Sequence, residues 1–242
     1  MLGTHHSKMM ILFRHDDTAQ VVIHTANMIA KDWTNMTNAV WQSPVLPVLS
    51  ELPEHGSIGS AAGLTIGGGE KFRHDLLSYL RAYNPRRSVC TSLVEKLVKY
   101  DFAAVRGALI ASVPGNHEIE TEYGESSWGW AAVRRTLKAV PVQAGGKPEV
   151  VVQISSIATL GPVDTWLKGT LLRSFAPPTK ASTKPAFRIV FPTPDEIRRS
   201  LDGYASGGSI HTKIKSQQQA KQLQYTRPML CHWANDADEG QG

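Results

Sequence analysis

Cysteine is scarce in this chain. Its 242 residues hold two, Cys90 and Cys231, too few for a disulfide framework, which points to a reducing compartment such as cytosol or nucleus. Long apolar runs are also missing. No window approaches the ~18 uninterrupted apolar residues of a membrane helix, so no membrane partner is expected. The first residues place two histidines and a lysine where a secretion signal has its apolar stretch, which excludes such a signal. Gly67-Gly68-Gly69 lacks a following Lys-Ser/Thr, so it is no nucleotide-cradling loop. Basic clusters are thin: Arg134-Arg135 and Arg198-Arg199 read as solvated helix faces rather than a DNA track. A zinc site from His5, His6 and His24 is not expected, because no cysteine or carboxylate stands at ligand spacing.

What remains is ordinary in bulk. A hydrophobic fraction of 41% and a charged fraction of 19% suit a globular chain. A formal charge of +5 favours an anionic partner, because Lys and Arg gain free energy by releasing counterions from phosphates.

Along the chain, Lys8 to Arg14 and Gln20 to Thr25 are apolar, partly β-branched runs that predict two strands joined by a polar connection. Glu70 to Tyr83 sets Phe72, Leu76, Leu80 and Tyr83 at helical spacing and is stopped by Asn84-Pro85. A second helix is expected over Thr91 to Tyr100, with Leu93, Val94, Leu97 and Val98 inward. Gly107 to Val113 reads as a buried strand stopped by Pro114-Gly115. His117 to Ser127, polar and without period, reads as a linker between domains 1–118 and 119–242.

The second part repeats the alternation. It predicts a helix over Trp130 to Val140, a strand over Glu149 to Ile154 and a helix over Pro162 to Phe175 opened by its proline. A surface loop follows over Ala176 to Pro185, then a strand over Phe187 to Phe191 and a helix over Pro194 to Leu201. The glutamine-rich Ser216 to Leu223 reads as an exposed helix. Trp128, Trp130 and Trp166 lie in or beside apolar helical stretches and read as core rather than as base-stacking platforms. Strands alternating with helices indicate an α/β architecture.

The chemistry concentrates in Gly3-Thr4-His5-His6-Ser7-Lys8. On a strand, His6 and Lys8 project from one face. An imidazole beside an ammonium suits a phosphodiester: the ring attacks phosphorus while the cation neutralises charge on the non-bridging oxygens. Asn27, after the next strand, could hold an oxygen without adding negative charge. Lysine and amide supply the electrophilic stabilisation, so the scheme needs no metal or other cofactor. Taken alone, His-x-Lys is a short pattern that also arises by chance as surface decoration.

The surrounding blocks carry more. Gly3 to Met10, Val21-Val22-Ile23-His24-Thr25-Ala26-Asn27, Asp32-Trp33 and Trp41-Gln42-Ser43-Pro44 together resemble the tyrosyl-DNA phosphodiesterase family of the phospholipase D superfamily. The resemblance continues in order through Phe72 to Leu80, Val113-Pro114-Gly115, Ile154-Ser155-Ser156-Ile157 and Leu201 to Ser209. It implies a phospholipase D-like mixed sheet flanked by helices, in two related halves, both incomplete. It also implies hydrolysis of 3′-phosphotyrosyl and other 3′-end DNA adducts through a phosphohistidine intermediate. His6 then resembles the nucleophile, with Lys8 and Asn27 as phosphate-oxygen binders. Asn38 stands where the family carries a glutamine near the site, which implies a DNA contact. Ser155, Ser156 and Ser209 match positions along the DNA groove, where hydroxyls position a strand without reading sequence. The implied partner is a DNA 3′ end, single- or double-stranded, bearing tyrosine or peptide. Nuclear location and a monomer at full length follow from the same resemblance. The aspartate that follows the lysine in lipid-cleaving relatives is replaced here by Phe13, as in tyrosyl-DNA phosphodiesterases.

The family mechanism also needs a second His-x-Lys. His211-Thr212-Lys213 is rejected for that role, because no Ser-x-Asn follows it and it lies too soon after Gly207-Gly208-Ser209. His211 is instead expected on the substrate groove. The second motif is expected beyond Gly242 and further strands before Met1, which makes this chain a fragment with little or no turnover. Two alternatives stand beside this reading: a catalytically dead DNA-binding remnant, and a single-motif phosphodiesterase that completes its site by homodimerisation.

Overall fold

The computed structural model describes residues 6–51, 60–83, 89–115, 117–120, 128–141, 146–176, 185–212 and 217–232. The chain divides into two compact units, Met1–Ala139 and Val140–Gly242. Helix α4 (Gly129–Lys138) belongs with the first unit, since Ala131, Ala132 and Arg134 are buried there and Gly129 N–H donates to the Ala111 carbonyl at 2.8 Å. Of the expected linker, residues 121–127 lie outside the described residues.

The first unit is built on an antiparallel sheet. Strands β1 (Met9–Phe13) and β2 (Thr18–His24) form a hairpin in which Met9 faces Ile23 and Phe13 faces Ala19. β2 is central: it also pairs with β3 (Val40–Gln42) and β4 (Leu46–Pro47). A β-branched run such as Gln20 to His24 suits this position because its stiff side chains pack well on a pleated surface. One face of the sheet meets helices α2 (Gly69–Tyr83) and α3 (Val89–Leu97). The helical spacing read from the sequence lands as expected: Phe72, Leu76 and Leu80 from α2 and Val94 and Leu97 from α3 are buried with Ala19, Val21, Leu46 and Phe102. Burying each such Leu or Phe stabilises the unit by about 1.5–3 kcal/mol. Gly69 opens α2 against Phe102, where a Cβ would stand 1.8 Å from the Phe102 carbonyl oxygen, so only glycine fits. The expected stop at Asn84-Pro85 lies outside the described residues.

Gly107 to Val113, expected as a strand, joins no ladder among the described residues. Leu109, Ala111 and Val113 do alternate inward against the core, so the period-2 signal was genuine. Its bonds run instead to Gly67 and Gly129, as Gly107 N–H donates to the Gly67 carbonyl at 3.0 Å. Trp128 packs against this core and is half-buried, as are Trp130 and, in the second unit, Trp166.

The second unit carries parallel pairings. β5 (Glu149–Gln153) pairs with β7 (Ala186–Val190), and β7 with β9 (Leu230–Cys231). A short second sheet joins β6 (Ser156–Ile157) to β8 (His211–Thr212). Parallel strands require crossovers, and helices supply them. The first is π-helical over Leu167–Leu172 and continues as α5 (Arg173–Phe175). Pro162 sits in the bend before it rather than at its first turn. α6 (Pro194–Arg199) opens on a capping box between Thr193 and Glu196. Residues 177–184 of the expected loop lie outside the described residues.

The glutamine-rich segment forms the expected helix, α7 (Gln217–Thr226), and most of it is exposed. One side docks: Gln222 is only 6% exposed, its Oε1 accepts from Leu160 N–H and its Nε2 donates to the Ala158 carbonyl, both at 2.8 Å, so one buried amide satisfies two backbone groups at once. Among the described residues, no helix is long and apolar enough to cross a membrane.

Candidate functional site

The site forms at the open end of the β1/β2 hairpin. His24 N–H donates to the Lys8 carbonyl at 3.1 Å, so the ladder runs one residue past Met9 and fixes Lys8 beside the end of β2. His6, two residues earlier, is exposed, and Lys8 is half-buried. Lys8 Nζ stands 2.7 Å from His6 Nδ1 and 2.9 Å from Nε2, and donates to the His6 carbonyl at 3.0 Å. The ammonium therefore lies against the ring. His5, weighed as a zinc ligand, lies outside the described residues. Among the described residues no cluster of three His, Cys, Asp or Glu side chains is placed to hold a metal ion.

Asn27 follows β2 and turns into helix α1 (Ala30–Thr34). Asp32 on that helix is 6% exposed, and its Oδ2 accepts both the Asn27 backbone N–H and the Asn27 Nδ2–H, each at 2.7 Å. Trp33 Nε1–H donates to the Asn27 carbonyl at 2.8 Å, and its ring tilts against His24 with centroids 5.5 Å apart. The Asn27 backbone N–H holds the Asp32 carboxyl below the ordinary carboxylate range. The Asn27 side-chain amide and the nearby charges of Lys8 and Lys31 pull the same way, while burial opposes them. The effect of Lys8 on Asp32 ties the His6/Lys8 pair to the Asn27 turn electrostatically.

Asn38 sits in the same loop. Its Nδ2 donates to the carbonyls of Asp32 at 2.6 Å and Met36 at 3.1 Å, while its Oδ1 accepts from Thr25 Oγ1 at 2.9 Å. Both amide hydrogens are thus occupied in holding the turn. Asp32 and Trp33 stood in the sequence blocks without an assigned role. The one signal for Asp32 was a carboxylate five residues past Asn27.

The remaining predicted residues lie in the second unit. Ser155 and Ser156 are exposed, and Ser156 stands opposite His211 in the β6/β8 register. Ser209 ends the short 3-10 turn Gly203–Ser209, two residues before His211. The backbone therefore brings the three serine positions to one short sheet and its approach. Lys213 lies outside the described residues.

Comparison with known proteins bears on both units. A family model described as tyrosyl-DNA phosphodiesterase matches residues 1–241. The chain is similar to the probable tyrosyl-DNA phosphodiesterase of Schizosaccharomyces pombe, at 30% identity over 285 residues, covering 96% of this chain and 51% of that protein. It is also similar to tyrosyl-DNA phosphodiesterase 1 of Drosophila melanogaster, at 32% identity over 213 residues, covering 86% of this chain and 35% of that one. The crystal structure of yeast tyrosyl-DNA phosphodiesterase matches with a TM-score of 0.63 at 18% identity, covering 93% of this chain and 51% of that one. A structure of a mutant of the same yeast protein matches with a TM-score of 0.66 at 20% identity, covering 92% and 50%. At such identities the structures speak for the fold, which is the phospholipase D-like α/β arrangement of sheets and helices. The chain spans about half the length, or less, of these relatives.

Proposed function

Because the chain belongs to the tyrosyl-DNA phosphodiesterase family, we propose that it supplies the nucleophilic half of a site that cleaves phosphodiesters at DNA 3′ ends. The family is one of phosphodiesterase hydrolases, and the S. pombe and Drosophila relatives are named for tyrosyl-DNA. In this reading a ring nitrogen of His6 attacks the 3′ phosphorus. The bond from phosphorus to the tyrosyl oxygen breaks, tyrosine leaves as a phenolate that takes up a proton, and the DNA 3′ end stays on His6 as a phosphohistidine. Water then releases it as a 3′-phosphate.

Lys8 and Asn27 share the work on the non-bridging oxygens. Lys8 lies against the His6 ring, so an arriving phosphate draws the ammonium onto its oxygen and frees the ring nitrogen for attack. Asn27 offers a neutral donor and adds no negative charge. Protonating the leaving oxygen and activating water call for a second histidine. His211-Thr212-Lys213 has no Ser-x-Asn after it and is not given that role, so His6, Lys8 and Asn27 form the covalent intermediate and do not by themselves turn it over efficiently. Ser155, Ser156 and Ser209 contribute hydroxyls along the DNA strand. The role that follows is repair of blocked 3′ ends in the nucleus.

The observation that carries this reading is the contact of Lys8 with the His6 ring beside an Asn27 anchored on Asp32. The test is an oligonucleotide bearing a 3′-(4-nitrophenyl phosphate), whose leaving group departs without an acid. The chain should release one nitrophenolate per molecule in a burst and then stop, whereas a 3′-phosphotyrosyl oligonucleotide should be turned over barely or not at all. No burst, or a burst undiminished in His6→Ala, would defeat the reading.

A further inference from the structure

We propose that Asp32 is a positioning residue of this site: it locks the Asn27 side chain so that an N–H, rather than the amide oxygen, faces the phosphate. This rests on the functional reading above.

The argument is one of hydrogen-bond capacity. An ionised carboxylate only accepts, so the Asn27 atom 2.7 Å from Asp32 Oδ2 must be the amide nitrogen. One of its two hydrogens is held by Asp32, and the second meets no acceptor among the described residues. An amide free to flip would present oxygen to an anionic phosphate part of the time and repel it. The pairing with Asp32 removes that state. The backbone is held as firmly, since the same Oδ2 takes the Asn27 N–H at 2.7 Å and Trp33 Nε1–H takes the Asn27 carbonyl at 2.8 Å.

A carboxylate near a phosphate site would ordinarily be adverse. Here its charge is 6% exposed and satisfied by two donors, and the ammonium of Lys8 lies close enough to offset it. Asn38 strengthens the arrangement from the other side, because its amide holds the Asp32 carbonyl at 2.6 Å. The turn from Asn27 to Asn38 thus holds the Asn27 amide in one orientation, with the Lys8 charge near the carboxylate that holds it.

Two readouts test this. The first is the side-chain amide signal of Asn27 in a 1H–15N spectrum, identified by its loss in Asn27→Ala. In the wild-type chain it should be a single slowly exchanging pair, and Asp32→Ala should average or broaden it. The second is the nitrophenolate burst. Asp32→Ala should slow the burst by roughly 10- to 100-fold, in the range of losing one oriented donor, with the substrate concentration for half-maximal rate changed less than about threefold. Asp32→Asn, which keeps the shape and can still turn a carbonyl toward Asn27, should recover most of the rate and the single amide pair. That variant also guards against a simple loss of folding in Asp32→Ala.

An unchanged amide signal and burst in Asp32→Ala would overturn the proposal. So would equal losses in Asp32→Ala and a well-folded Asp32→Asn. A wild-type chain with no burst defeats the functional reading alone, and the Asn27 amide signals then decide the role of Asp32.

Discussion

Ser43 and Val21 are joined twice: Ser43 N–H donates to the Val21 carbonyl at 2.9 Å, and Ser43 Oγ accepts the Val21 N–H at 3.0 Å. The same hydroxyl donates to the Pro44 carbonyl at 2.7 Å. Both residues are buried at the centre of the antiparallel sheet. This serine lets β2 leave its pairing with β3 and take up β4 without stranding an N–H in the core. Ser43→Ala should therefore destabilise the first unit by about 1–3 kcal/mol, the cost of a buried donor left unpaired. Urea unfolding should show a lower midpoint with an unchanged slope.

Gln222 plays the corresponding part in the second unit, tying α7 to the segment from Ala158 to Leu160. Gln222→Leu should cost about 1–3 kcal/mol, because it orphans Leu160 N–H and the Ala158 carbonyl. Gln219→Ala, on the more exposed bond to Thr159 at 3.3 Å, should stay within about 0.5 kcal/mol. Hydrogen exchange at the Leu160 amide reports the difference directly: fast in Gln222→Leu, slow in Gln219→Ala.

Asp32 sets a pH dependence. Its carboxyl is held low chiefly by the Asn27 backbone N–H, so folding favours the ionised form. The stability this gives is fully present above the unfolded value of about 3.9, and it is lost as pH falls through the lower folded value. Asp32→Asn should therefore be less stable than wild type at neutral pH, by an amount that is flat down to about pH 4 and shrinks below it. A difference that grows on acidification would contradict the assignment of these bonds.

The elements that were legible in the sequence are those whose side chains repeat. The β1/β2 hairpin and the inward faces of α2 and α3 follow from period-2 and helical spacing, because packing against the same core enforces both. Gly107 to Val113 had the strand period as well, but periodicity reports only which side faces inward. It does not report whether a neighbouring strand is there to pair. α7 is the exposed helix its polarity predicts, but its docking through Gln222 is made with amide hydrogen bonds, which no hydrophobic pattern shows. α4 followed a linker in sequence, yet its small Ala131 and Ala132 pack onto the first unit.

At the site, the juxtaposition of His6 and Lys8 was legible because residues two apart on an extended chain share a face. The geometry added the contact between Lys8 and the ring. Asp32, Trp33 and the strap made by Asn38 were not legible. They meet Asn27 across a turn, and a five-residue spacing there fixes no geometry until the backbone is known. Asn38, read from the sequence as a DNA contact, has both amide hydrogens on backbone carbonyls. Asn38→Ala should accordingly lower the stability of the turn, seen as faster exchange of the Asn27 amide.

The most direct measurement of the central claim is the position of the covalent intermediate. The chain is incubated with the 3′-(4-nitrophenyl phosphate) oligonucleotide, digested, and the DNA-linked peptide sequenced by mass spectrometry. The account predicts one phosphoramidate, labile in acid and stable in alkali, on His6, absent from His6→Ala and reduced in Asn27→Ala. An adduct on any other residue, or one that persists in His6→Ala, would contradict it.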